Sequence, residues 1–138
     1  MRIVVIDSSV TLGFLLKDEQ SDFALNVFEA IENAAETLVP NLWWVETANG
    51  LLMAERRKRI SQTETSEALQ IIQMLGVQTD NETSAQVVHE TVSLARQHGL
   101  TVYDATYLEL TMRRNATLAT ADKQLEKAAR SVGVKILS

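Results

Sequence analysis

A chain of 138 residues without cysteine and with a formal net charge of −5 excludes a disulfide framework and any zinc–thiolate site. The acidic balance also argues against broad electrostatic capture of nucleic acid, which needs a basic, counterion-releasing surface. The length fits one domain over residues 1–138, burying roughly two-thirds of its unfolded surface without staples.

No apolar run approaches the ~20 residues that span a bilayer, and a strand pattern follows Arg2 where a signal peptide would place a basic and then a long apolar region. The expectation is a cytoplasmic protein with no membrane partner. The chain opens with IVVIDSSV from Ile3 to Val10. Its first four residues do not alternate, so they read as a strand buried on both faces, the kind found inside parallel sheets. Asp7 then stands at the strand's carboxyl end, where open α/β sheets bind ligands. Asp7, Ser8 and Ser9 also favour the start of a helix over Val10 to Leu16, so a capping role and a site role both stand open for Asp7.

Ser21 precedes an amphipathic helix over Asp22 to Ala34, with Ala24, Val27, Phe28 and Ile31 at helical spacing. Thr37 to Val39 is a short strand closed by Pro40, and Asn41 is a candidate cap for the helix that follows. That helix runs from Leu42 to about Arg59, with Leu42, Val45, Leu52 and Met53 as its apolar side and Glu46 beside that stripe. A carboxylate there needs a partner or a metal, unless it stays wet and serves the helix dipole. Gly50 weakens the helix and so marks close packing against another element. Trp43 and Trp44 point about 100° apart on a helix, so both cannot be central to the core. Arg56, Arg57, Lys58 and Arg59 read as a solvated helix end, with contact to phosphate or an acidic partner as the lesser alternative.

Ser61 and Glu64 form a capping box for a helix running to about Leu75, ended by Gly76. Val77 to Thr79 suits an edge strand. Thr83 opens a helix with Val87, Val88, Val92 and Ala95 on its apolar side, stopped by Gly99. His89 and His98 lack the spacing of a helical metal site and read as surface or boundary residues. Asp104 begins a helix carrying Ala105, Leu108 and Met112 on one side, where the role of N-terminal acid or cap also stands open for it, and Asn115 suits the helix's left-handed end. Ala116 to Ala119 is a buried strand, Thr120 and Asp122 precede a helix through Ala129, where a capping role stands open for either as much as chemistry, and Val134 to Leu137 is the last strand.

Strands alternating with helices predict an α/β fold, a three-layer sandwich with a mostly parallel sheet of four to five strands flanked by helices. Such a fold places Asp7, Glu46, Asp104 and Asp122 on one rim. Carboxylates crowded together either hold protons or need a cation. Oxygen ligands without cysteine or paired histidine favour Mg²⁺, with Mn²⁺ as the alternative. Such ions share their sites with phosphates and can activate water against a phosphodiester. In this scheme Asp7 is the central metal ligand, Glu46 and Asp104 complete the first site, and Asp122 lies nearer a second ion or its waters. Ser9 and Thr120 orient carboxylates or water through their hydroxyls.

VIDSSV at the start, VETANGLL around Glu46, YDATYLELTMRR at Asp104 and LATADKQLEKAARSVGV at the end resemble the PIN-domain family, most closely its bacterial VapC-type toxins. The resemblance covers nearly the whole chain, weakest from Arg59 to Val88. It implies a Mg²⁺- or Mn²⁺-dependent endoribonuclease with the acidic quartet Asp7, Glu46, Asp104 and Asp122. It further implies a homodimer neutralised by a VapB-type antitoxin whose tail blocks the acids with a basic side chain. Operator DNA would be contacted through the antitoxin. Gly50 stands where alanine is common in that family. A receiver domain fails because Pro40 and Asn41 stand where its acceptor aspartate belongs, and a haloacid-dehalogenase-type phosphatase fails at Ser9. A PIN-fold RNA-processing nuclease outside any toxin–antitoxin pair, and a non-catalytic metal- or RNA-binding module, are the remaining alternatives. Single-stranded loops are the expected RNA target.

Overall fold

Val4, Val5 and Ile6 are wholly buried, as an apolar strand without alternation must be when both its faces are covered. In the computed structural model, which describes residues 2–137, β1 (Ile3–Ile6) is the middle strand of a five-stranded sheet. It pairs with β2 (Glu36–Pro40) on one side and β4 (Thr117–Ala119) on the other. β3 (Gln78–Asp80) and β5 (Lys135–Ile136) form the edges, and every pairing is parallel in the order β3-β2-β1-β4-β5. The chain therefore moves outward from β1 to β3 and then crosses to the other half. That reversal opens a crevice between the carboxyl ends of β1 and β4, the usual ligand position in such sheets.

Among the described residues seven α-helices flank the sheet: α1 (Ser8–Leu15), α2 (Asp22–Asn33), α3 (Asn41–Arg56), α4 (Gln62–Met74), α5 (Ala85–His98), α6 (Val102–Arg113) and α7 (Lys123–Ser131). Ser21 caps α2, and the Ser61–Glu64 capping box opens α4 with both reciprocal bonds at 3.0 Å. Gly99 takes the left-handed conformation that ends α5, and Asn115 does the same after α6. The main core runs along the sheet through Phe14, Leu38, Trp43, Tyr107, Leu118 and Leu125. A smaller cluster of Leu16, Leu51, Ala54 and Ala68 joins the end of α1 to α3 and α4. Arg113 ties α6 to β3, bonding Glu109 at 2.9 Å and Asp80 at 2.7 Å.

Several local expectations change. In α3 the buried side is Trp43, Thr47, Leu51 and Ala54, while Val45 is 67% exposed and Leu52 is also exposed. Trp43 takes the central place and pulls the helix about its axis; Trp44 is half-buried and bonds Thr79 at 2.9 Å. Asn41 is the first helical residue rather than the cap, because Pro40, the last residue of β2, leads directly into the helix. α3 ends at Arg56, since Lys58 adopts positive φ, and Arg59 turns back to pair with Asp18 and Glu19. Ser84 rather than Thr83 caps α5, whose buried residues are Thr91 and Ala95; Val88 is exposed. Met112 likewise lies outside the buried side of α6.

Gly50 eases the crossing of α1 and α3, since a Cβ there would press on the Leu12 methyls. Gly50→Ala should therefore destabilise the protein by up to about 2 kcal/mol, overpacking of about 1–3 kcal/mol being offset by a propensity gain of about 1 kcal/mol. In a Leu12→Ala background the same change should become neutral or stabilising. Denaturant unfolding of the four proteins checks this, and additive effects would exclude the contact as the cause.

Candidate active site

The backbone delivers Asp7 to the crevice by continuing β1, its N–H bonding Ala119 O at 3.2 Å. Its side chain caps α1, accepting from the Val10 N–H at 3.1 Å, so the capping role is real. It does not exhaust the carboxylate. The same oxygen accepts from Ser9 Oγ at 2.6 Å, and the other accepts from the Thr120 hydroxyl. Ser9 Oγ and Thr120 Oγ1 in turn accept the Ala121 and Asp122 N–H groups, each at 3.0 Å. The loops after β1 and β4 are thus joined through one carboxylate that is 5% exposed. Below it, Thr11 donates to Asp7 O at 2.8 Å and accepts from Trp43 Nε1 at 2.9 Å, which fixes α3 against the same backbone.

Asp122 caps α7, with Oδ1 accepting the Gln124 and Leu125 N–H groups at 2.8 and 3.0 Å. Asp104 is not a cap: Thr101 fills that role, accepting the Asp104 N–H at 3.0 Å, and leaves the half-buried Asp104 side chain clear of the helix end. Glu46, half-buried on α3, accepts at Oε1 from Tyr107 Oη at 2.6 Å; Ser8 Oγ approaches the same oxygen at 3.5 Å. Neither Tyr107 nor Ser8 stood out in the sequence. The signal was the spacing of Asp104 and Tyr107, three apart on one helix and so on one face.

Charge links the members. Burial raises the Asp7 carboxyl above its ordinary value against the pull of its hydrogen bonds, and the Asp122 charge adds to the rise. Burial, then the Asp122 charge, raises Asp104 in the same sense. The Tyr107 hydroxyl is raised by burial, then by its bond to Glu46 and by the Glu46 and Asp7 charges. Elsewhere arginine neutralises acids: Asp18 and Glu19 with Arg59, Asp80 and Glu109 with Arg113, Glu36 with Arg114, and Glu126 with Arg130. Among the described residues none of Asp7, Glu46, Asp104 and Asp122 makes an ion pair.

As the side chains stand, no three acids or histidines among the described residues enclose a position for a metal. A Mg²⁺ site does not require such a cage, because the ion keeps several waters and takes only one or two carboxylates with substrate phosphate. The donors here are all oxygen, and burial disfavours the free Asp7 anion, which a bound cation would offset. They suit a hard divalent ion. His89 is exposed and His98 half-buried, neither bonded to the quartet. A cleft of about 600 Å³ opens at the opposite, amino end of the strands among Arg2, Arg114 and Lys135, beside the carboxyl ends of α6 and α7, where cations complement the helix dipoles.

Comparison with known proteins agrees with this architecture. The PIN domain family model matches residues 4–131. Ribonuclease VapC3 of Pyrobaculum aerophilum is 30% identical over 122 residues, spanning 88% of this chain and 91% of that protein. The crystal structure of PAE2754 from Pyrobaculum aerophilum superposes with a TM-score of 0.75 at 18% identity, covering 98% of this chain and 89% of the other. VapBC2 of Rickettsia felis, bound to a DNA fragment from its promoter, gives 0.67 at 16% identity over 98% and 96%. Mycobacterium tuberculosis VapC20, a toxin that cleaves the sarcin–ricin loop, gives 0.68 at 13% over 91% and 94%. With a matching family model over most of its length, a VapC ribonuclease as relative and the parallel sheet those structures share, this chain belongs to the PIN-domain family.

Proposed function

We propose that this protein is a VapC-type toxin, a metal-dependent endoribonuclease that hydrolyses RNA phosphodiester bonds and is restrained by a VapB-type antitoxin. The observation that carries the reading is the buried Asp7 carboxylate at the end of the central strand, oriented by Ser9 and Thr120, beside the Asp122 charge and without an ion pair among the described residues. The kinship with a VapC ribonuclease supports the same reaction class.

Asp7 serves as the central ligand, kept in one orientation by Ser9, Thr120 and the Val10 N–H. Glu46 and Asp104 would complete the first position, and Asp122, one of whose oxygens caps α7, would serve a second ion or its waters. When bound, Mg²⁺ or Mn²⁺ supplies the positive charge that brings phosphate to an acidic rim and lowers the pKa of water. The chain's part is to fix the carboxylates before substrate arrives and to hold Asp7 in a buried place where charge interactions are strong. The protein acts in the cytoplasm as a homodimer, and an antitoxin's basic tail fits the same unpaired acids. Operator DNA is reached through the antitoxin.

Cleavage of a single-stranded RNA panel should require Mg²⁺ or Mn²⁺ and stop with EDTA; activity undiminished by the chelator rules the mechanism out. Asp7→Asn should reduce cleavage by more than about a hundredfold, beyond what outer-shell changes cost. Because folding raises the Asp7 pKa, its ionised form costs stability at neutral pH, a cost relieved as pH falls. Metal-free Asp7→Asn should therefore melt no lower than the unsubstituted protein, and Mn²⁺ should raise the melting temperature only of the latter. Protons also compete with metal at Asp7 and Asp104. The Mn²⁺ concentration giving half-maximal cleavage should rise from about pH 7 to about pH 5, and a flat profile counts against these two as ligands.

A further inference from the structure

We propose that Tyr107 is a positioning residue whose buried hydroxyl holds one oxygen of Glu46 and thereby aims the other at the cation. This rests on the metal-site reading above. Tyr107 is 1% exposed, its ring set in the main core against the sheet. A buried tyrosine hydroxyl must find a polar partner, and among the described residues the acceptor it donates to is Glu46 Oε1, at 2.6 Å. That length is ordinary for a hydroxyl donating to a carboxylate, a charge-assisted bond roughly twice as strong as a neutral one. Glu46 Oε2 accepts no hydrogen bond from the described residues, so it is the oxygen left for a ligand.

The need for such a bond follows from the side chain itself. A glutamate on a helix has several rotamers, and ordering it costs up to about 2 kcal/mol of conformational freedom. Glu46 has no ion pair, and its other donor, Ser8 Oγ, stands 3.5 Å away. Tyr107 lies on α6, the rigid helix that carries Asp104 one turn earlier. One helix therefore sets one acid directly and a second acid, on α3, through a hydroxyl. Phenylalanine would fill the same core space, so packing explains the ring and the carboxylate explains the oxygen.

The test is Mn²⁺ titration, read by the electron paramagnetic resonance of free Mn²⁺, on the full chain and on Tyr107→Phe, Glu46→Gln and the double variant, with folding checked by circular dichroism. Tyr107→Phe should bind Mn²⁺ about tenfold to a hundredfold more weakly, the size of effect expected when a group orienting a metal ligand is lost. In RNA cleavage the same variant should need correspondingly more Mn²⁺ and recover its kcat at saturation. In the Glu46→Gln background the added change should alter Mn²⁺ affinity less than about twofold, because Tyr107 acts through Glu46. Unchanged affinity in Tyr107→Phe, or equal weakening in both backgrounds, overturns the proposal. Should Tyr107→Phe not fold, Glu46→Asp keeps the charge but withdraws it from the hydroxyl; it should weaken binding similarly, and undiminished affinity overturns the proposal. If the coupling is found but no RNA is cut, the positioning role stands and the nuclease reading falls. Failure of the unsubstituted protein to bind Mn²⁺ overturns the positioning role.

Discussion

The structure depends on a carboxylate buried at the end of its central strand. Asp7 is placed there by Val4, Val5 and Ile6, whose full burial contributes about 1.5–3 kcal/mol each and so offsets the cost of carrying a charge into the interior. Because β1 is bonded on both sides, it cannot slide to expose that charge without breaking two ladders. The hydroxyls of Ser9 and Thr120 make the position tolerable without neutralising it. A partly stabilised buried anion is the condition under which a divalent cation gains most on binding.

The parallel sheet was legible because β1 and β4 are short apolar runs each followed by hydroxyl and carboxylate residues, a pattern that survives without tertiary context. The capping box at Ser61 and Glu64 and the left-handed Asn115 were legible for the same reason, since each acts within a few residues. The inward face of α3 was not. Its sequence offers apolar residues on several sides, and the choice was made by Trp43, whose indole reaches Thr11 across to α1 and so carries Val45 outward. A hydrogen bond between residues 32 apart leaves no trace in periodicity. Tyr107 was hidden in the same way: its motif was visible, but the acceptor of its hydroxyl lies 61 residues away on another helix.

The site also shows why the choice between cap and ligand was not exclusive. Asp7 and Asp122 both cap helices, and the macrodipole at those N-termini favours their negative charge. Capping occupies one oxygen of Asp122 and leaves the other. Glu46 and Asp104 are not caps and have no such local anchor, so their orientation must come from elsewhere. For Glu46 that source is a neighbouring helix. Local geometry thus secures the two acids at strand ends, and packing between helices secures at least one of the others.

A net charge of −5 with an uncompensated acidic rim sets a constraint on any anionic substrate. Opposite the rim, Arg2, Arg114 and Lys135 lie at the far end of the sheet, too remote to hold a phosphate over Asp7. Arg59, the basic residue that ends the run after α3, is already engaged by Asp18 and Glu19. In the proposed reading, attraction for a phosphodiester at the rim comes chiefly from ions the acids collect, and a competing cation in their place would weaken it. A basic side chain offered by a partner is such a cation. In the proposed reading, the unpaired carboxylates that would draw in metal, and through it RNA, are also what a partner's basic tail would recognise, so activity and its inhibition would share one electrostatic cause.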